Sequence, residues 1–479
     1  MQSVFFSGLF ITLILNILIK PLALFGIDAV VQNRVGASEY GTYFSLLNLS
    51  ILFNILLDIG INNYTTKIAA QDAKKAIDYF GKVISLRILL FLFYSFLTLL
   101  IGYIIGYRSH EFIMLSILMV NQLLIMLTQF CRSYFSGFHL FKTDAIISIL
   151  DKLLLIIICG FALYSSVFNE KFEIFWFVGI QSICYLITFF IAFILLLRKI
   201  KKQKYSFDFS FSLILIKKSF PYAILILLMI LYSRADSVIL ERLHPDGKTE
   251  TGIYAQGFRL LDALYMFGMI FVGLLYPMFS RQIKKGKQTV FPLLKTAGNL
   301  LIGGSILVVT ILIFQSENVL NLIYEENIYK ASISFKWLML GFIGICLNFI
   351  FGTLLTANGN LRELSYISFF AIIINFLMNF LLIPSMGAKG AVISMFATQT
   401  FVSISQFLLA KAKFKFPINL RHMLPYFIYL ALLISPCLFI TNDEGLFISQ
   451  LTIGLISLFV LKFININELK KAFINKETI

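Results

Sequence analysis

Residues 174–197 read IFWFVGIQSICYLITFFIAFILLL, and residues 198–204 continue RKIKKQK. Twenty-four residues pass without a charge, and five of the next seven are basic. A helix rises 1.5 Å per residue, so about 20 apolar residues cross a hydrocarbon core roughly 30 Å thick. The stretch therefore predicts a membrane-spanning helix, and the basic run behind it predicts a cytoplasmic loop.

The same pattern recurs along the chain. Windows of about 19 residues predict spans at 4–32, 40–66, 82–107, 111–136, 143–167, 173–198 and 212–240, then at 252–280, 289–314, 331–356, 362–384, 388–411, 421–440 and 446–463. The expected fold class is all-α integral membrane, with about fourteen transmembrane helices. Of 479 residues, 59% are hydrophobic and 13% charged, too few polar side chains to cover a soluble protein.

Orientation follows from the basic residues. With the N-terminus cytoplasmic, the inward connections hold 27 Lys and Arg and the outward ones seven. The inward set includes the segment 67–87, the link 198–218 and the tail from 462. So strong an asymmetry in short loops predicts both termini in the cytoplasm. It also accounts for the net charge of +16 without nucleic acid, which would need a solvated basic face. The five cysteines stand singly in apolar segments, and the four histidines lie far apart. The expectation is no metal and no cofactor. Gly247-Lys248-Thr249 lacks the upstream glycine spacing of a phosphate-binding loop, so any active transport must draw on an ion gradient, the membrane potential or mass action.

Glu39-Tyr40-Gly41-Thr42-Tyr43 and Glu250-Thr251-Gly252-Ile253-Tyr254 share the pattern E-x-G-x-Y, 211 positions apart. Each follows a helix ending in an acidic residue set in apolar sequence, Asp28 or Asp236. The repeat predicts two six-helix lobes, 1–200 and 201–411, around a central cavity, with helices 13 and 14 and a tail over 412–479. Repeats about an axis along the membrane normal are a recurrent transporter design.

Charges at span depth are costly and usually face an interior cavity. Six cations fall there: Lys20, Arg132, Lys152, Arg234, Arg259 and Lys336. Together they suit a phosphate- or pyrophosphate-bearing substrate. Asp28, Asp58, Asp236 and Asp262 are candidates for coupling or as counter-ions, and Arg259 and Asp262 have the i,i+3 spacing of an intrahelical pair. Asp144 reads as a helix cap, and Asp151 with Lys152 as a structural pair. Pro21 and Pro221, each in the first helix of a lobe, are candidate hinges or static kinks.

Val35-Gly36-Ala37-Ser38 running into the first repeat, then Leu56-Leu57-Asp58-Ile59-Gly60-Ile61, resembles the start of the bacterial polysaccharide biosynthesis (O-antigen type) flippases. These belong to the multidrug/oligosaccharidyl-lipid/polysaccharide exporter superfamily. Arg234-Ala235-Asp236-Ser237 and Asn379-Phe380-Leu381-Leu382-Ile383-Pro384 through Gly387-Ala388-Lys389-Gly390-Ala391 are similar to later stretches of the same family. The resemblance implies a flippase of the bacterial inner membrane, not an enzyme. It would carry an undecaprenyl-pyrophosphate-linked oligosaccharide to the outer leaflet by alternating access, for lipopolysaccharide or capsule. It further implies membrane lipids, a glycan polymerase and chain-length machinery as partners, with proton or sodium coupling. Alternatives within the superfamily are the peptidoglycan-precursor flippases and the drug/cation antiporters. An alternative of another class is a membrane-embedded polysaccharide polymerase or ligase, whose large outward catalytic loop this chain lacks.

Overall fold

The computed structural model describes residues 15–165, 172–200, 208–416 and 420–463. The expected first turns from residue 4, the end of the 143–167 span, Lys171, the middle of the 198–218 link and the tail beyond 463 lie outside the described residues.

Helix is the only regular structure among the described residues. Among the described residues, twelve helices are long and apolar enough to span a membrane. The first, Leu15–Leu52, is two helices joined through Gly36, whose φ of +79° and ψ of 164° are not helical. It therefore supplies α1 (15–35) and α2 (37–52), and Met423–Leu438 adds a shorter apolar helix. The count then agrees with the expected fourteen. Apolar side chains point outward, as in Leu92 at 60% exposed and Phe96 at 65%; the surrounding solvent is lipid, not water.

Two expectations are corrected. The second span does not run unbroken over 40–66. α2 ends at Leu52, a 3₁₀ turn covers Asn54–Leu57, and α3 begins at Ile61 and ends at Gln71. Between them Ile59 and Gly60 have φ of +42° and +78°, a conformation that a β-branched residue rarely adopts. Nor is 67–87 a loop, because α4 runs Ala73–Ile104. Arg87, counted among the loop cations, is 2% exposed in its wall.

The break and the buried arginine explain each other. A helix interrupted in lipid leaves backbone groups that must find internal partners. Arg87 donates Nη1 to the Leu57 carbonyl (3.1 Å), and Nη2 to Asp58 Oδ1 (3.1 Å) and Asn62 Oδ1 (2.6 Å). Asp58 Oδ1 also accepts from the Asn62 amide at 3.0 Å, capping α3.

The remaining elements are α5 (Ser109–Gly137), α6 (Phe141–Tyr164), α7 (Ile174–Leu197), α8 (Phe209–Leu243), α9 (Gly247–Lys285), α10 (Val290–Phe314), α11 (Ser316–Asn321), α12 (Ile328–Ala357), α13 (Leu361–Met386), α14 (Ala388–Phe414), α15 (Leu420–Ile434) and α16 (Asp443–Val460). The chain divides into two compact units. One comprises residues 1–259, 323–327 and 376–391; the other comprises 260–322, 328–375 and 392–479. In the second, Leu307 of α10 packs with Tyr429 and Leu433 of α15 and Leu458 of α16. Gly454 lies against Leu307 and Leu433, where any side chain would collide with Leu307.

Candidate functional site

The charges that the sequence puts at span depth gather mainly in the first unit. One turn after Pro21, α1 widens into a π-helical turn over Leu24–Asp28, a feature frequent at functional sites. The turn ends on Asp28, 6% exposed. Tyr40 Oη donates to Asp28 Oδ2 at 2.9 Å, and Arg259 Nε lies 2.7 Å from the same oxygen and 2.9 Å from Tyr40 Oη. The guanidinium sits 5.0 Å from the Phe44 ring centroid. Arg259 thus pairs across to another helix, a partner 231 positions away that no local spacing indicates.

Arg234 lies 4.9 Å from the centroid of the Phe258 ring and 3.5 Å from Asn48 Oδ1. By the helical rise, Arg234 and Arg259 stand about 14 and 18 Å from the ends where α8 and α9 meet. Asp236, fully buried, accepts from Asn379 Nδ2 at 2.7 Å.

A second group lies at Lys20. Arg132 Nε is 2.6 Å from Asp144 Oδ1. Lys152 Nζ is 3.3 Å from Asp151 and 3.3 Å from Tyr185 Oη. Lys20 interacts electrostatically with Asp151, Lys152 and Arg132, yet its ammonium makes no hydrogen bond among the described residues, and Arg132 gives Asp144 only its Nε. Tyr43 connects the two groups: it hydrogen-bonds Gln181 (3.1 Å) and interacts with both Arg259 and Tyr185. Lys336 and Asp262 belong to the other unit. Pro221 lies inside the continuous α8.

Sequence reasoning missed Arg87, Gln181, Tyr107 and Glu241. A lone glutamine in the uncharged 174–197 run was a readable signal. Tyr107 Oη donates to Glu241 Oε2 at 2.7 Å and meets Ser45 Oγ at 2.8 Å. Burial, with the Glu241 carboxylate beside it, pushes the Tyr107 phenol above its usual range and keeps its proton on. Arg242 covers the same ring at 3.6 Å and lies 3.6 Å from Glu111, which also meets Lys248 at 3.3 Å.

The two E-x-G-x-Y copies touch. A Cβ on Gly41 would run into the Lys248 carbonyl, and one on Gly252 into the Ala37 carbonyl. The α2 and α9 backbones therefore meet where only glycine fits. Gln32 Nε2 donates to the Gly252 carbonyl at 2.9 Å, and Glu250 accepts from the Ala388 amide at 2.8 Å.

Three comparisons bear on this architecture. The model of the polysaccharide biosynthesis protein family matches residues 5–283. Among solved structures, a lipid II flippase, MurJ, in an inward closed conformation superposes with a TM-score of 0.70 at 14% identity, covering 99% of each chain. An inward-facing multidrug resistance MATE family transporter reaches 0.63 at 12% identity, over 83% of this chain and 94% of its own. A superfamily transporter from Pyrococcus furiosus reaches 0.57 at 12% identity, over 85% and 94%. No curated protein sequence matches. At such identities the structures establish the fold alone. The family match spans more than half the chain, and the protein is accordingly a multi-pass member of the polysaccharide biosynthesis protein family, with the fold of the superfamily's transporters.

Proposed function

We propose that the chain is a flippase for a lipid-linked oligosaccharide. It carries an undecaprenyl-pyrophosphate-linked repeat unit from the cytoplasmic to the outer leaflet of the bacterial inner membrane. The observation that carries this reading is the Lys20 group. An ammonium at span depth with no hydrogen-bond partner among the described residues stands near Arg132, whose two Nη groups have none either. Charged heads at this depth face water rather than lipid, and convergent Lys and Arg donors match a pyrophosphate.

In this reading residues 1–200 and 201–411 form the two lobes, and 412–479 stands outside the repeat. Both termini are cytoplasmic, which puts Lys20 toward the side where the substrate is made and the Gly41–Gly252 crossing toward the outside. Alternating access requires that crossing to part. A proton or sodium gradient would act at Asp28 or Asp236, and a glycan polymerase would take up the product.

Vesicles reconstituted with the protein and a fluorescent undecaprenyl-pyrophosphate glycan test the proposal, with leaflet residence read by an impermeant quencher. A hydrogen bond to a charged group contributes about 1.5–3 kcal/mol. Lys20→Ala with Arg132→Ala should therefore slow flipping about tenfold or more at equal protein level. Full-rate flipping by that double variant would sink the assignment of the site. Flipping of a peptidoglycan precursor in place of the glycan would assign the other flippase branch.

A further inference from the structure

A cavity of about 280 Å³ lies in the first unit between α4, α5 and α7, apart from the charged groups above. Its wall is almost wholly hydrocarbon: Phe91 and Ile88 from α4, Leu127 and Phe130 from α5, Phe193 from α7. Arg87 closes one side with its guanidinium 4.7 Å from the Phe130 ring centroid. Ile88 stands 59% exposed and its neighbours Leu89 and Leu92 are also exposed. In a membrane-spanning chain this apolar outer face meets lipid.

We propose that this cavity is a binding site for the acyl chain of a bilayer phospholipid. Water is a poor occupant, because an internal water needs two to four polar partners. Here only the Arg87 Nε–H, which has no acceptor among the described residues, and the Cys131 thiol are on offer. An empty space forfeits the dispersion contacts of its lining, and the medium at its mouth is hydrocarbon. A lipid headgroup is excluded by charge. The Arg87 guanidinium is already matched by Asp58, Asn62 and the Leu57 carbonyl, so a phosphate there would sit beside a carboxylate. The chain end completes the packing around the residue that braces the break between α2 and α3.

Tryptophan quenching by brominated lipid tests this. The native Trp176 and Trp337 are replaced by Phe, and a single tryptophan is placed in the cavity by Phe91→Trp or, should that variant fold poorly, Phe193→Trp. The proteins are reconstituted in phosphatidylcholine carrying bromine at mid-chain. Leu92→Trp serves as the lipid-facing reference and Phe135→Trp, at a 1% exposed core position, as the buried one. Quenching of the cavity tryptophan should match the lipid-facing reference, and Leu127→Phe, which narrows the space, should lower it. Quenching no greater than the buried reference, or unaltered by Leu127→Phe, would overturn the proposal. So would its relief by a few mole per cent of polyprenyl phosphate, which would assign the cavity to a polyprenyl chain.

Discussion

The Asp28–Arg259 pair offers the sharpest perturbation. Their side chains are 9% and 13% exposed with 2.7 Å between the charged atoms, and Tyr40 bridges them. Removing one member of a buried pair leaves the other charge without compensation, which costs about 3–5 kcal/mol. Arg259→Gln and Asp28→Asn should each destabilise the protein by about that amount. Most of each cost is the same event, an orphaned charge in a poorly solvated place. The double variant should therefore cost well under the sum of the singles, with a coupling energy of about 2–3 kcal/mol, the upper range for residues in direct contact. The assay is reversible unfolding of the four proteins in mixed micelles by a titrated denaturing detergent. Additive singles would show that the pair is not the energetic unit read from the geometry. Glycan export by the double variant, measured at matched protein level, then separates the roles. A folded double variant with normal export assigns the pair to scaffolding alone, whereas a folded one without export places it in the transport path.

Two further outcomes follow from the fold. Arg87→Ala should cost about 3–5 kcal/mol in the same unfolding assay, and Arg87→Lys should recover only part, because one ammonium cannot reach Leu57, Asp58 and Asn62 in the guanidinium's fork geometry; stability equal to wild type in either variant would contradict the bracing of the helix break. Gly41→Leu should force α2 and α9 apart and make a cysteine at Ala37, 6% exposed in the native protein, react several-fold faster with an impermeant maleimide, and unchanged reactivity would mean that the crossing is not a close-packed seal.

Fourteen helices were legible because hydropathy reports what the bilayer demands of each segment by itself. The errors cluster where a residue's environment depends on distant sequence. The break at 53–60 is written as Asp58-Ile59-Gly60, yet no window average detects two residues turning to positive φ. Lys67, Lys74, Lys75 and Lys82 before it give Arg87 the sequence setting of a loop, because a window cannot tell an amphipathic helix start from a connection. Charges at depth are legible residue by residue, and so is the adjacent Asp151–Lys152 pair, but pairing between distant helices is not. Asp28 and Arg259 lie 231 positions apart, and only packing brings them together. The i,i+3 spacing of Arg259 and Asp262 was the nearest pattern the sequence offered. The repeated E-x-G-x-Y was visible as spacing. That its two glycines face each other required the fold, since a glycine announces freedom of approach without naming the partner.

The charged groups of the first unit differ in burial, with the Arg132 and Asp144 side chains 30% and 20% exposed and those of Arg259 and Asp28 13% and 9%, and that difference orders the steps of the proposed transport. At Lys20 the ammonium has no hydrogen bond among the described residues, and Arg132 keeps two nitrogen groups in reserve. At Arg259 the Nε is committed to Asp28 and Tyr40. A pyrophosphate arriving at the Lys20 group finds donors ready and displaces nothing. Engaging Arg259 requires giving up a short, nearly buried ion pair, and the carboxylate left behind must be neutralised or rehydrated at a cost of several kcal/mol. A cation or proton binding at Asp28 as Arg259 leaves it removes that cost. Coupling to an ion gradient would then enter at the Asp28–Arg259 pair and not at first capture. Substrate binding at the Lys20 group would be insensitive to the gradient, while passage beyond it would depend on the gradient.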